Sequence, residues 1–319
     1  MNAVVLSLDA ELAWGYHDPS EIPDHVESAR TSWSRLLALF DEFDVPATWA
    51  IVGHLFLDSC DGTHAGHATP TDDWFDHDPG GVAECHPRWF ADGLIEDIND
   101  ATATHEIACH SFSHVEYGDV RTSREIAVAE TRTSLEIADD GGYDLESFVF
   151  PQNSVGHRDV LAAYGFTCYR GTRPELWYDK TRFRSLAKFI DRTVSRTGPP
   201  LVTPETDDYG LVNIPASMFL FGDDSRVRTL TKNVWDDPLI RSAKRGIDRA
   251  ADADDGVFHL WMRPGNFTEE RDFKRLRVVL EHLAMRRDEA RVKVLTMGQI
   301  AGHLRDEDPT TTRTPIGPR

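Results

Sequence analysis

The chain has 319 residues, 40% of them hydrophobic and 10% aromatic, enough to build the core of one large domain. Its formal net charge is −20, from 54 Asp and Glu against 34 Lys and Arg. A charge of that sign excludes nucleic acid, whose phosphates it would repel, and works against docking or insertion at an anionic membrane. Among the basic residues six are lysine and twenty-eight arginine. Such an acid-rich, lysine-poor composition resembles proteins of salt-loving archaea, in which counterions screen self-repulsion. The four cysteines (Cys60, Cys85, Cys109, Cys168) are scattered, as reduced thiols of a cytosolic protein would be. No signal peptide or membrane-length apolar run is visible, so the expected location is the cytoplasm.

Ala3 to Asp9 is a nearly continuous apolar run, the pattern of a strand covered on both faces. Period two places Asp9 and Glu11 on one face at its C-terminal end. His25 to Phe43 has a helical period, and Ala47 to Gly53 reads as the second strand. Asp58 to Gly81 is a long Gly-, Asp- and His-rich loop, with His64, His67 and His77 as candidates for a second metal site. A helix follows through Leu94, Ile95 and Ile98, and His105 to Cys109 is the third strand. Thr122-Ser123-Arg124-Glu125 has the spacing of a capping box, opening a helix to about Ala138. Strands are expected at 148–151 and 166–171, with a short helix over Asp159 to Tyr164 between them. Lys180 to Ser195 looks helical, and Leu211 to Phe221 reads as one strand around Pro215. A helix over Asp237 to Ala251, a strand over 256–262, a helix over Lys274 to Arg286 and a strand over 292–296 complete the alternation. The Thr-, Pro- and Arg-rich end reads as a frayed tail.

Strands alternating with helices, without a linker, form a parallel sheet wholly or partly closed into a barrel. Asp9, Glu11, His110, His114, Pro151-Gln152-Asn153, Arg170 and Arg263 all fall at or just after a strand's C-terminal end, the face where β/α barrels build their sites. His110 and His114 are four apart, which on a helical turn puts both imidazoles on one face. Two histidines and a carboxylate with open positions suit Zn²⁺ as a Lewis acid, and a further carboxylate can act as general base. The same histidines also fit a pair of satisfied core residues, as the chain has fourteen. Cys109 reads as a small buried hydrophobe rather than a soft ligand.

With these residues in place, the chain resembles the polysaccharide deacetylases, the NodB-type amide hydrolases of carbohydrate esterase family 4, from about Ala3 to His303. The His-Ser/Thr-x-x-His motif is matched in full by His110-Ser111-Phe112-Ser113-His114. The resemblance implies an α/β fold, a distorted (β/α)₇ barrel of the NodB/glycoside hydrolase–deacetylase type. It would form a single domain over residues 1–303, followed by a tail over 304–319. It implies removal of an N-acyl group, acetyl above all, from a small-molecule or oligosaccharide amino sugar with one divalent metal. Asp9 matches the base, and Glu11, His110 and His114 the metal ligands; Zn²⁺, Co²⁺ and Ni²⁺ all fit that set. Two motifs depart. The third lacks the arginine that orients the base before Pro151, for which Gln152 or Arg170 are substitutes. In the fifth, His259 is the candidate acid, and Arg263 stands where related sequences carry histidine. An arginine does not donate a proton usefully at neutral pH but can bind a phosphate or carboxylate. Pro151, Gln152, Asn153, Arg170, Trp261 and Arg263 are the expected substrate-binding residues. The departures also fit an impaired barrel that binds carbohydrate, and members of the fold act on non-sugar amides such as ureides or formamides. No sequence feature sets an oligomeric state.

Overall fold

The structure, a computed structural model, describes residues 1–16, 22, 26–91, 93–174, 198–221 and 237–307. The strands are β1 (Asn2–Ala10), β2 (Thr48–Ile51), β3 (Ser59–Cys60), β4 (Gly81–Val82), β5 (Glu106–Cys109) and β6 (Ser147–Val149). They continue with β7 (Cys168–Gly171), β8 (Glu205–Thr206), β9 (Val212–Pro215), β10 (Met218–Phe219), β11 (Gly256–Met262) and β12 (Lys293–Leu295). Helices are α1 (Val26–Phe43), α2 (Leu94–Asn99), α3 (Arg124–Asp140), α4 (Arg158–Ala163), α5 (Pro238–Asp252), α6 (Glu270–Asp288) and α7 (Met297–Glu307).

One sheet runs in the order β10-β11-β1-β2-β5-β6-β7-β9-β8 and curls into a half-barrel. Its neighbours pair in parallel except β8 with β9. β12 and β2 share one edge of β1, through residues 3–5 and 7–10 of β1 respectively. The strand expected over Leu211 to Phe221 is two strands on opposite sides of the sheet: β9 lies beside β7 and β10 beside β11. Pro215 lacks the N–H that a continuing ladder needs. The residues between cross the open side, Ala216 N–H donating to Gly171 O and Ser217 N–H to His259 O.

Period-two alternation sorts the side chains. Val4, Leu6, Leu8 and Ala10 of β1 and Phe258, Leu260 and Met262 of β11 join an outer core with Trp33, Phe40 and Trp49. Ala3, Val5, Ala50, Ala108, Val149 and Val257 fill the barrel interior. That interior is plugged below by Met297, Ile300 and Ala301 of α7, a helix the sequence reading lacks. Its cap was legible: Gln299 N–H donates to Thr296 Oγ1 (3.3 Å) while Thr296 N–H donates to Gln299 Oε1 (3.0 Å). α7 continues through Glu307, so the tail expected from residue 304 starts inside a helix. The cap of α3 is Ser123, accepting from Ile126 N–H, whereas Thr122 donates to Glu116 O. The helix expected over Lys180 to Ser195 lies outside the described residues. Among the described residues no helix is long and apolar enough to cross a membrane.

Candidate active site

Above the apolar plug the same inward positions turn polar. Ser7 and Asp9 of β1, Arg170 of β7 and His259 of β11 are buried there, and Glu11 follows one residue after β1. Burying several charges is costly unless each finds a partner. Arg170 forks onto Asp9, with Nη1 to Oδ1 at 2.6 Å and Nη2 to Oδ2 at 2.9 Å. It also donates to Ser7 Oγ (3.2 Å) and Asn153 Oδ1 (3.1 Å), and its guanidinium lies 4.4 Å from the Trp261 ring centroid. Burial pushes the Asp9 carboxyl up, but Arg170, His110 and Arg263 outweigh it and hold it below the usual carboxylate range.

His110 and His114 are brought together by an irregular loop, not by the helical turn expected from their spacing. Ser111 and His114 take left-handed backbones, with φ 59° and 62°, conformations that cost an L-residue about 1–2 kcal/mol. The surroundings hold this loop. Gly53 N–H donates to Ser111 O (2.7 Å) and His54 N–H to Phe112 O (2.9 Å). The carboxylate of Glu130, fully buried on α3, accepts from Ser113 N–H (2.8 Å) and Ser113 Oγ (2.6 Å) and meets His67 Nε2 at 2.9 Å. Glu130 escaped the sequence reading; its only signal is a glutamate on the buried stripe of an amphipathic helix.

The Glu11 carboxylate meets His114 Nε2 at 3.1 Å and His110 Nε2 at 3.6 Å. Ligand atoms of the three residues all lie within 4.8 Å of one another. His110 Nδ1 donates to Val149 O (2.8 Å), which leaves the lone pair on Nε2. That Nε2 and Glu11 Oε2 are buried without a hydrogen-bond partner. Orphaned acceptors of this kind facing one point suit a divalent cation. Burial raises the Glu11 carboxyl, yet Arg263, His110 and His114 together hold it well below its ordinary value. Burial, more than any other cause, lowers His114, which favours the neutral ring a metal requires.

Asp9, Glu11, Gln152 and Arg263 line a cavity of about 300 Å³, walled by Tyr16 and Trp33. Arg263 reaches Glu11 Oε1 at 3.2 Å and Asp9 Oδ2 at 3.9 Å. Gln152 sits at the rim with φ 53°. Gly15 closes over Glu11: a β-carbon there would come within 2.6 Å of Glu11 Cδ. Gly15→Ala is expected to push the carboxylate off its position and weaken divalent-metal affinity by about 10–100-fold, the size of comparable displacements around ligands. Metal titration of the variant, with circular dichroism to check the fold, reads this directly.

Several expectations differ from this geometry. His259 does not face the cavity: its ring is fully buried, with Nε2 at 2.9 Å from Ser7 Oγ and Nδ1 at 3.3 Å from Ile214 O. Burial and then Arg170 pull it down to about 3, so it is neutral and enclosed, unsuited to delivering a proton to substrate. Arg170 is bonded to Asp9 through both terminal nitrogens rather than turned to the cavity. Trp261 is half-buried, stacked on Phe219 at 3.9 Å beside Arg170. Pro151 is buried, and Asn153 is spent on Arg170. The expected grouping of His64, His67 and His77 also fails: His67 bonds Glu130, and His77 packs 5.3 Å from the rings of Trp14 and Trp89. Cys109 is a buried thiol pushed up to about 12 by burial.

No family model matches the sequence, and no curated protein matches it. Solved structures do. A protein of Mycobacterium smegmatis assigned as a polysaccharide deacetylase aligns at 20% identity and a TM-score of 0.63, over 99% of this chain and 94% of that one. An allantoinase aligns at 15% identity and a TM-score of 0.58, over 96% and 91%. A protein of Pseudomonas aeruginosa PAO1 assigned as a polysaccharide deacetylase aligns at 14% identity and a TM-score of 0.57, over 96% and 92%. At these identities the likeness is one of fold, and the fold of this chain is that of the NodB-type deacetylases.

Proposed function

We propose that the chain is a metal-dependent hydrolase that cleaves the amide bond of a small N-acylated compound, an N-acetylamino sugar first of all. The observation that carries this reading is the convergence of Glu11, His110 and His114 beside a buried, arginine-held Asp9. Glu11, His110 and His114 would hold one divalent ion, Zn²⁺ by preference, with Co²⁺ and Ni²⁺ suiting the same donors. When bound, such an ion supplies Lewis acidity and lowers the pKa of water. Asp9 is assigned as the base. Its depressed pKa keeps it ionised at neutral pH, so both oxygens are acceptors, and Arg170 fixes their direction. With His259 enclosed, the proton collected by Asp9 is the one returned to the leaving nitrogen. Gln152 N–H is assigned to the oxyanion. Arg263, at the cavity mouth, would bind an anionic group of the substrate.

The cavity also favours a second reading. About 300 Å³ lies at the small end of ligand pockets and takes a single ring rather than several sugar units. That size and Arg263 suit a small non-sugar amide such as a ureide. The two are separated by one panel, run at high salt with added Zn²⁺ or Co²⁺: N-acetylated mono- and oligosaccharides, with and without phosphate, beside allantoin and formamides. Acetate release that is removed by chelator and restored by metal supports the first reading, and ureide opening the second. No turnover of any compound by the metal-loaded protein overturns both and leaves a carbohydrate-binding barrel.

A further inference from the structure

A second group of donors lies outside the cavity, where the long loop folds back on the barrel. His54 sits in the 3₁₀ turn Gly53–Phe56 just after β2, Cys60 on β3, His64 in the loop, and Asp78 ahead of β4. β3 and β4 pair antiparallel and close the loop on itself, Cys60 opposite Gly81. Asp78 is at the centre of the group. Its Oδ2 is 2.7 Å from His64 Nε2, 3.0 Å from His54 Nε2 and 3.3 Å from Cys60 Sγ. One ligand atom from each of the four residues falls within 4.8 Å of all the others. Gly80 N–H donates to Asp78 Oδ1 (2.9 Å) and turns the carboxylate toward the histidines.

The decisive atom is His54 Nε2. The His54 side chain is wholly buried, and its Nδ1 lies 3.3 Å from Trp89 O. A carbonyl only accepts, so Nδ1 carries the proton and the neutral ring presents its lone pair at Nε2. Although Nε2 is 3.0 Å from Asp78 Oδ2, it is buried with no hydrogen-bond partner. A nitrogen lone pair and a carboxylate oxygen held this close repel unless a cation stands between them.

We propose that His54, Cys60, His64 and Asp78 form a closed, four-ligand structural site for Zn²⁺, separate from the Glu11–His110–His114 group. Two imidazoles, one thiolate and one carboxylate make a borderline-soft set with tetrahedral capacity and no position left for a substrate. Bonds of about 2.0–2.3 Å require ligand atoms about 3.3–3.8 Å apart, so the two imidazoles, at 2.7 and 3.0 Å from Asp78 Oδ2, would part by a few tenths of an ångström to admit the ion. The ion pins the long loop to the segment that carries His110 and His114. The rings of His64 and His54 pack 5.4 and 5.8 Å from Phe112, inside that histidine motif. The site thereby supports the left-handed backbone at Ser111 without touching substrate.

Cobalt separates the two sites, because only this one contains sulfur. The whole chain, stripped of metal, is titrated with Co²⁺ and followed in the near ultraviolet for thiolate-to-cobalt charge transfer. The band is expected to appear in the wild type, to persist in His110→Ala and there saturate at one equivalent, and to vanish in Cys60→Ser. In His64→Ala the affinity is expected to fall at least about 100-fold, since loss of an outer-shell partner alone costs up to that much. Absence of the band from the wild type at saturating Co²⁺ overturns the proposal, and so does a band that survives Cys60→Ser. Because the wild-type titration decides by itself, a variant that fails to fold does not shelter the idea. Zn²⁺ is also expected to raise the melting temperature of His110→Ala, in which the other site is broken; an unchanged melting temperature counts against a structural ion.

Discussion

Asp9→Asn is expected to lower kcat/KM by about 10²–10⁴-fold, the range for loss of a positioned acid–base group, with the divalent ion still bound. Asparagine keeps the shape and one acceptor for Arg170 but no longer takes a proton. Metal content should hold, because Glu11, His110 and His114 are untouched. Neutralising Asp9 also leaves Arg170 charged and fully buried, so the melting temperature should fall as well. Steady-state kinetics must therefore be measured well below the variant's melting temperature. Turnover unchanged in folded, metal-loaded Asp9→Asn would remove Asp9 from the role of base.

Arg170→Met is expected to have the largest effect on stability. It strips a buried carboxylate of its bidentate partner, and breaking such a pair costs about 3–5 kcal/mol. The pH dependence fixes the cause. In the wild type the Asp9 pKa is depressed, so its contribution to stability is complete above the unfolded value of about 3.9. That contribution is lost as pH falls through the lower folded value. Without Arg170, burial becomes the dominant influence and raises the Asp9 pKa. The stability deficit of the variant should then be full at pH 7 and narrow as the pH falls and Asp9 is protonated. The acidic limb of kcat/KM should move to higher pH. Arg170→Lys keeps the charge but loses the fork, and should recover part of both effects. Urea unfolding at pH 7 and near pH 4 checks the sign, and a deficit independent of pH would mean that Arg170 acts only through packing.

Much of this site was legible because strands write their geometry into the sequence with period two. Once Ala3 to Asp9 reads as a strand, Ser7, Asp9 and Glu11 must share a face, and the same count places His259, Trp261 and Arg263 together. What alternation does not give is depth. His259 and Arg263 are four residues apart on one face, yet the first is sealed under Ser7 while the second reaches the cavity. That difference depends on where the crossing segment between β9 and β10 covers the barrel. Loops are read less well still. The spacing of His110 and His114 suggests a helical turn, whereas the chain reaches the same convergence through two left-handed residues held by Glu130. The loop cluster was glimpsed through His64 alone. Its other members come from a strand end, a two-residue strand and a carboxylate fourteen residues onward, and only closure of the β3–β4 ladder brings them together. Arg170 is open from the sequence as one of two substitutes for the missing motif arginine, and only the structure shows which of them reaches Asp9, because the strand that carries it is not adjacent to β1 in the chain or the sheet.

The most direct measurement is equilibrium metal content at high salt, wild type against His110→Ala and Glu11→Gln, with acetate release assayed on the same samples. The expected result is that each variant holds one divalent ion fewer per chain than the wild type and loses hydrolysis with it. Equal metal content in all three, or hydrolysis that survives loss of that ion, would contradict the assignment of Glu11, His110 and His114 as the hydrolytic centre.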